Sequence, residues 1–488
     1  MSGGVASFLT FDEIRDAVAG SWLVRPSNPN GMPCGVSIDS RDEMTGSGPN
    51  AQAGKAFVAI RGERFDGNAF AADALARGAS IAIVEREVGS LPGTGCVLAV
   101  ADGRRALGDL ARAWRERLSA LAVIAVTGSA GKTTTRRLID GTLGAAWKGS
   151  ASPKSFNNEI GVPLTLLAAR PDDRYVVVEI GMNRPGEILA LASIAKPTVA
   201  VVTMVGRVHL EGLGSLAAIA REKSSLLESL DVSGLAVLNA SSEILLDAIA
   251  RRRLRASRVR RFGTARTPSC DAALVGRRVS GTGQSIDVRD AAGKVATFDL
   301  ALPGEHNAMN ALAAVIVGRE LGLHDDQIRA GLAGVKPSGM RLEPVDIGEI
   351  TIFNDAYNAN PDAMAASIRA FAELTPGARR RVLVLGDMLE LGDATRELHR
   401  EVGGVAAEVS RQTPIDVVLA VGAFATDTLA GLSSAGWRGH ARSFAELDAA
   451  ALDAVLATFA AGDAILLKGS RGAAMERVLT RMAERQRK

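Results

Sequence analysis

Apolar positions along the chain fall into two periodicities. Uninterrupted runs rich in β-branched residues recur: "AFVAI", "SIAIVE", "LAVIAV", "YVVVEI", "TVAVVT" and "LAVL", then "RVLVLG", "IDVVLAVG" and "DAILLKG" towards the end. A parallel strand is covered by helices on both faces, so it reads as such a run and not as an alternation. Between the runs, apolar residues stand three and four apart. In "DGRRALGDLARAWRERL", Leu107, Leu110, Trp114 and Leu118 make one buried stripe, and Asp102 can cap the helix. "FAADALARGA" has the same spacing and ends at Gly78. In "NANPDAMAASIRAF", Asn360 is the N-cap, Pro361 the first helical residue, and Met364, Ile368 and Phe371 the inward stripe. Residues from about 271 to 302 alternate instead and turn at "AAGK", which predicts an antiparallel hairpin appended to the sheet. Strand and helix otherwise take turns, so the fold class is α/β.

The pattern resets twice, just before the helix at Asp102 and after "MRLEPV". Three α/β domains follow: a small one over 1–101, a central parallel-sheet domain over 102–334, and a Rossmann-like domain over 335–488. A chain of 488 residues exceeds what one core usually organises. With 57 basic against 54 acidic residues, a bulk polyelectrolyte partner such as nucleic acid is not expected. "RRRLRASRVRRFG" from Arg251 is a local exception, but no aromatic platform is interleaved with it. Cys34, Cys96 and Cys270 are scattered without metal spacing, which suits a reducing compartment. The first residues lack a basic stretch followed by an apolar run, and no stretch has the length of a membrane span. A soluble cytoplasmic protein is the expectation.

The chemistry centres on "VTGSAGKTTT", Val126–Thr135. The common phosphate loop has a glycine five positions before the one that precedes its lysine; here that position is Val126. Yet "LAVIAV" runs straight into the loop and "TTTRRLIDGTL" leaves it as a helix, so backbone N–H groups and the helix dipole point at one spot. Gly128, Ser129, Ala130, Gly131, Lys132, Thr133 and Thr134 would then wrap ATP phosphates. Lys132 would neutralise the outer phosphates and the Thr133 hydroxyl would reach Mg²⁺. Glu179 ends the strand "YVVVEI", His209 follows "TVAVVT", and Lys223 lies on the next helix. A carboxylate and an imidazole near ATP suit a second cation. Singly, each has a plainer reading, as a helix cap, a loop histidine and a solvated lysine.

Together these features resemble the Mur ligase family, ATP-dependent amide-forming enzymes of peptidoglycan precursor assembly, whose short TGxxGKT loop "TGSAGKTTT" matches. The resemblance spans the chain and implies roles. The counterpart of Lys223 is carbamylated and joins those of Thr133, Glu179 and His209 at two Mg²⁺ ions. "GEHNAMNALAA" places His306, Asn307 and Asn310 near adenine. "SGMRLEPV" supplies Arg341 to the γ-phosphate, and "NDAYNANP" supplies Asp355 to the ribose, with Tyr357 and Asn358 beside it and Asn358 a substrate contact. "SIDSRD" with "AFVAIRGERFDGNAF" looks like a UDP-binding domain, with Ser40 and Arg41 at the diphosphate. Lys132, Lys223, His209 and Arg341 are the implied catalytic set. One stretch departs from the family: Ser241 and Ser242 follow "AVLNA" where acidic residues are common. "FNDAYNANPDAM", "VLGDMLELG" and "KGSRGAAMERVL" resemble the member that joins D-alanyl-D-alanine to UDP-N-acetylmuramoyl-tripeptide. That activity, in a monomer, is the expectation. The alternatives are another amide ligase of the superfamily, a nucleic-acid-binding NTPase, and a nucleotide sensor without turnover.

Overall fold

The computed structural model describes residues 8–45, 54–63, 65–87, 95–252, 254–337 and 339–486. Residues 1–7, with the leader reading, and Arg64, Arg253 and Ser338 of the quoted segments lie outside them. Three sheets organise the described residues. The first, in spatial order, is Ser21–Val24, Cys96–Ala99, Ile81–Val84, Ala56–Val58 and Val36–Ser37, parallel except for the first strand. The second runs Gly149–Ala151, Tyr175–Glu179, Ala122–Thr127, Val199–Val202, Leu235–Asn239, Arg258–Thr264 and Ala272–Ser280 in parallel. Gly283–Asp290 and Val295–Leu300 continue it antiparallel. Their hairpin closes at "AAGK", where Asp290 N–H donates to the Lys294 carbonyl at 2.9 Å. The third sheet places Glu343–Ile347 antiparallel beside Ile350–Asp355, then Asp463–Lys468, Arg380–Gly386, Val417–Val421 and His440–Phe444 in parallel.

Helix Gly103–Arg117 joins the first two sheets. Asp102 accepts the Arg105 N–H at 2.9 Å, and Leu107, Leu110, Trp114 and Leu118 are buried. They pack against Ile81 and Leu98 of the first sheet and Val123 and Ala125 of the second, so one core spans both. Each such side chain contributes roughly 1.5–3 kcal/mol by leaving water. Trp114 satisfies its indole N–H on the Ala169 carbonyl at 3.0 Å, which makes so deep a burial affordable.

The register brings chemistry to the strand ends. Val126 pairs with Glu179 and with Val201, so three strands stop together and release Gly128, Ile180 and Thr203 at one edge. In the third sheet Asp355 lies beside Lys468 at the last rung. In doubly wound sheets ligands bind outside the carboxyl ends of the strands. Here both sets of ends open onto one cleft of about 1210 Å³. No helix of the described residues is long and apolar enough to cross a membrane.

Candidate active site

The loop carries glycine at two positions because its neighbours leave no room there for a side chain. A Cβ on Gly128 would stand 1.8 Å from Thr203 Oγ1, and one on Gly131, at φ +82°, would stand 2.4 Å from Asn310 Oδ1. Thr203 Oγ1 donates to the Ala130 carbonyl at 2.6 Å. Ser129 N–H donates to the Met204 carbonyl and Ser129 Oγ to that of Gly206, each at 2.9 Å. The loop is thus pinned to the segment after the neighbouring strand. Helix Lys132–Gly144 starts from Gly131 without a side-chain cap, which leaves its first N–H groups for an anion.

Lys132 Nζ donates to the Gly128 carbonyl at 2.9 Å; burial lowers its pKa, opposed by Glu179 and reinforced by Arg341. Glu179 is 1% exposed. It accepts from Thr133 Oγ1 at 2.8 Å and from Asn157 Nδ2 at 3.0 Å, with Arg136 Nε 3.6 Å away. Thr133 Oγ1 in turn accepts from Arg341 Nη2 at 3.0 Å, a contact across 208 positions of sequence. The Arg341 guanidinium lies 4.1 Å over the Tyr357 ring, and the Tyr357 hydroxyl bonds to Ser155. A carboxylate and a hydroxyl side by side offer hard oxygens. The described residues gather no set of three His, Cys, Asp or Glu side chains around a metal position. That donor set suits a magnesium ion that takes its remaining ligands from phosphates and water.

His209 sits at φ +52° ahead of the short helix Leu210–Leu213, with Nδ1 2.5 Å from Glu390 Oε2 of the third domain. Burial lowers its pKa against the pull of Glu390, and Lys132 and Lys223 lower it further. Lys223, on helix Leu216–Ser224, is 1% exposed and has no hydrogen-bond or ion-pair partner among the described residues. Burial first, and Lys132 second, push its ammonium well below the usual lysine range; Glu222 works against both. It is not one of the residues lining the cleft, but its charge acts on His209, which is.

Helix Glu305–Glu320 brings His306, Asn307 and Asn310 to the other side of the loop. Asn307 Nδ2 donates to the Pro303 carbonyl at 2.7 Å, and burial drops the pKa of His306 to about 4. Asp355 Oδ1 accepts the Leu342 N–H at 3.2 Å, and its Oδ2 takes Ser367 and the buried Lys468, Nζ at 2.7 Å. Lys468 also donates to the Asn358 carbonyl at 3.1 Å. The sequence reading passed over Lys468 and Asn157. A lysine closing the apolar run "DAILLKG" was a usable signal; Asn157 carried none.

The cleft therefore gathers the loop from Ser129 to Thr134, Glu179, His209, His306, Asn307, Asn310, Arg341, Asp355 and Asn358, with Ser241 and Ser242 at its edge. Ser40 and Arg41 stand apart in the first domain. Ser40 is buried, while exposed Arg41 grips Asp39 through Nε at 2.8 Å and Nη2 at 2.7 Å, holding that carboxyl at about 2. In the arginine run, Arg252 pairs with Glu228, Arg258 with Glu320, and Arg260 with Glu320 and Asp271. Intramolecular acids answer those charges.

Three family descriptions match: "Mur ligase family, catalytic domain" over residues 35–115, "Mur ligase middle domain" over 126–318 and "Mur ligase, glutamate ligase domain" over 340–471. The UDP-N-acetylmuramoyl-tripeptide--D-alanyl-D-alanine ligase of Bacillus subtilis is 33% identical over 97% of this chain and 98% of its own. That of Escherichia coli is 36% identical over 93% and 96%. A crystal structure of MurF from Acinetobacter baumannii superposes with a TM-score of 0.81 at 30% identity, covering 98% of this chain and 99% of the other. The Thermotoga maritima MurF ligase in complex with ADP gives 0.74 at 27% identity over 93% and 98%.

Proposed function

The chain belongs to the Mur ligase family, and from that premise we propose that it is an ATP-dependent ligase joining D-alanyl-D-alanine to UDP-N-acetylmuramoyl-tripeptide in peptidoglycan precursor synthesis. Relatives of that name match along nearly their whole length. The observation that carries the mechanism is the Thr133 hydroxyl held between Glu179 and Arg341, at the start of a helix with free N–H groups.

A carboxylate resists attack by an amine because its charge repels the nucleophile and its leaving group would be an oxide. ATP removes both obstacles. An oxygen of the tripeptide's terminal carboxylate attacks the γ-phosphorus in line, and the bond from that phosphorus to the ADP oxygen breaks. The amine of D-alanyl-D-alanine then attacks the acyl carbon, loses a proton, and phosphate leaves. Such transfer needs positioning and charge neutralisation more than covalent help. Lys132, the loop N–H groups and Arg341 supply it. Thr133 and Glu179 would hold one Mg²⁺, and His209 with a carbamylated Lys223 a second, adding positive charge against the phosphates when bound. Carbamylation requires a neutral amine, and the burial that lowers the Lys223 pKa favours it.

We assign residues 1–101 to the UDP end, with Ser40 and Arg41 at the diphosphate, residues 102–334 to ATP, and residues 335–488 to the lid. His306, Asn307 and Asn310 would flank adenine, Asp355 would meet the ribose, and Asn358 would face the acceptor. One chain completes the cleft, so we take the working unit to be a monomer, placed in the cytoplasm with its nucleotides. The test is phosphate release from ATP with a panel of amine acceptors. Release that needs both the tripeptide nucleotide and D-alanyl-D-alanine supports the reading. Preference for a single amino acid, or release without acceptor, defeats it.

A further inference from the structure

The cleft wall beyond the phosphate loop carries a charge that the reaction leaves unused. After strand Tyr175–Glu179 the chain continues through Gly181, Met182, Asn183 and Arg184, all lining the cleft. Carboxylates hold this segment by its backbone. Glu187 accepts the N–H groups of Asn183 at 2.6 Å and Arg184 at 3.1 Å; Glu222 accepts those of Gly186 at 3.0 Å and Ile188 at 3.1 Å. Both acids are thus engaged by main chain. The Arg184 side chain is exposed and forms no ion pair among the described residues, whereas Arg104, also on the wall, is paired with Glu159. A fixed backbone with an unanswered guanidinium facing a substrate cleft is the arrangement that recognises an oxyanion.

Arg184 lies five positions past Glu179, so extended chain puts it within about 18 Å of that carboxylate. On the ligase reading, the residue being activated would present its main-chain carboxylate at the loop, so its side chain would lie within that radius. We propose that Arg184 binds a carboxylate on the side chain of the tripeptide's third residue. The chain would then select a residue ending in both an ammonium and a carboxylate, as 2,6-diaminopimelate does, over lysine, which ends in an ammonium alone. Attraction to the first and repulsion of the second act in the same direction. This inference rests on the ligase reading above.

The test uses the full chain and its Arg184→Gln and Arg184→Lys variants, with tripeptide nucleotides ending in meso-diaminopimelate or in L-lysine, at saturating ATP and D-alanyl-D-alanine. The wild type should prefer the diaminopimelate form in kcat/KM by about tenfold or more, the value of one partly solvated charge pair plus one repulsion. Arg184→Gln should bring the two within about twofold, through KM rather than kcat, and Arg184→Lys should retain part of the preference. Equal use of both substrates by the wild type, or a ratio that Arg184→Gln leaves intact, overturns the proposal. Absence of phosphate release with either tripeptide would instead defeat the ligase reading, and the wild type alone reveals it.

Discussion

At the scale of a single residue, the proposed chemistry concentrates on Lys223. Its amine is buried, unpartnered among the described residues and biased towards neutrality, a combination that costs stability. Lys223→Ala should abolish ligation, and formate or another short acid should restore part of it by replacing the lost oxygen donors. Full activity in Lys223→Ala without any additive would refute the carbamate. Lys468 is a buried lysine of the opposite kind, paired with Asp355. Lys468→Met strands that carboxylate and should cost about 3–5 kcal/mol of unfolding free energy, measured by urea denaturation. A cost below about 1 kcal/mol would mean that water reaches the pair. His306 makes stability depend on pH. Its pKa falls from 6.5 to about 4 on folding, so below 6.5 the unfolded chain takes up a proton that the folded one refuses. Stability should therefore decline as pH drops from 6.5 towards 4, and His306→Gln should remove that part of the decline in urea midpoints taken across the range.

Among the elements, the glycine loop is the least tolerant. Gly128→Ala would drive a methyl into Thr203, which itself holds Ala130, and should raise the Kd for ATP by at least about tenfold in calorimetry. Unchanged affinity would mean that the loop can move aside. The elements readable in the sequence are those whose environment is uniform. Parallel strands such as Tyr175–Glu179 are buried at every position, and the helices Gly103–Arg117 and Pro361–Leu374 carry both cap and stripe. The strands Ser21–Val24 and His440–Phe444 escaped notice because they lie at sheet edges and are largely exposed, so no apolar run marks them. Within the cleft, Glu179 and the loop were legible from their place after a strand. The union of Thr133 with Arg341, or of His209 with Glu390, was not, because it depends on how two domains meet. Likewise a split before Asp102 reads naturally from the pattern, while the core runs through that helix into both neighbours.

At the scale of the whole molecule, the central and third domains touch beside the cleft. Arg207 of the central domain reaches Asp362 at 3.2 Å and grips both oxygens of Glu401 at 2.5 and 2.7 Å; Arg277 takes Glu373 at 2.7 and 2.8 Å. These clasps are partly exposed, so each is worth about 1 kcal/mol or less. They bias closure without locking it, as a site that must admit three substrates and exclude water requires. Arg207→Ala should raise the radius of gyration of the nucleotide-free protein in X-ray scattering and increase the KM for ATP by roughly two- to tenfold. Identical scattering would place the control of closure elsewhere. All of this serves one event, the passage of a phosphoryl group onto a carboxylate. Tripeptide nucleotide labelled with oxygen-18 in its terminal carboxylate tests that event directly. One labelled oxygen should appear in each phosphate released with D-alanyl-D-alanine; phosphate free of label would contradict the account.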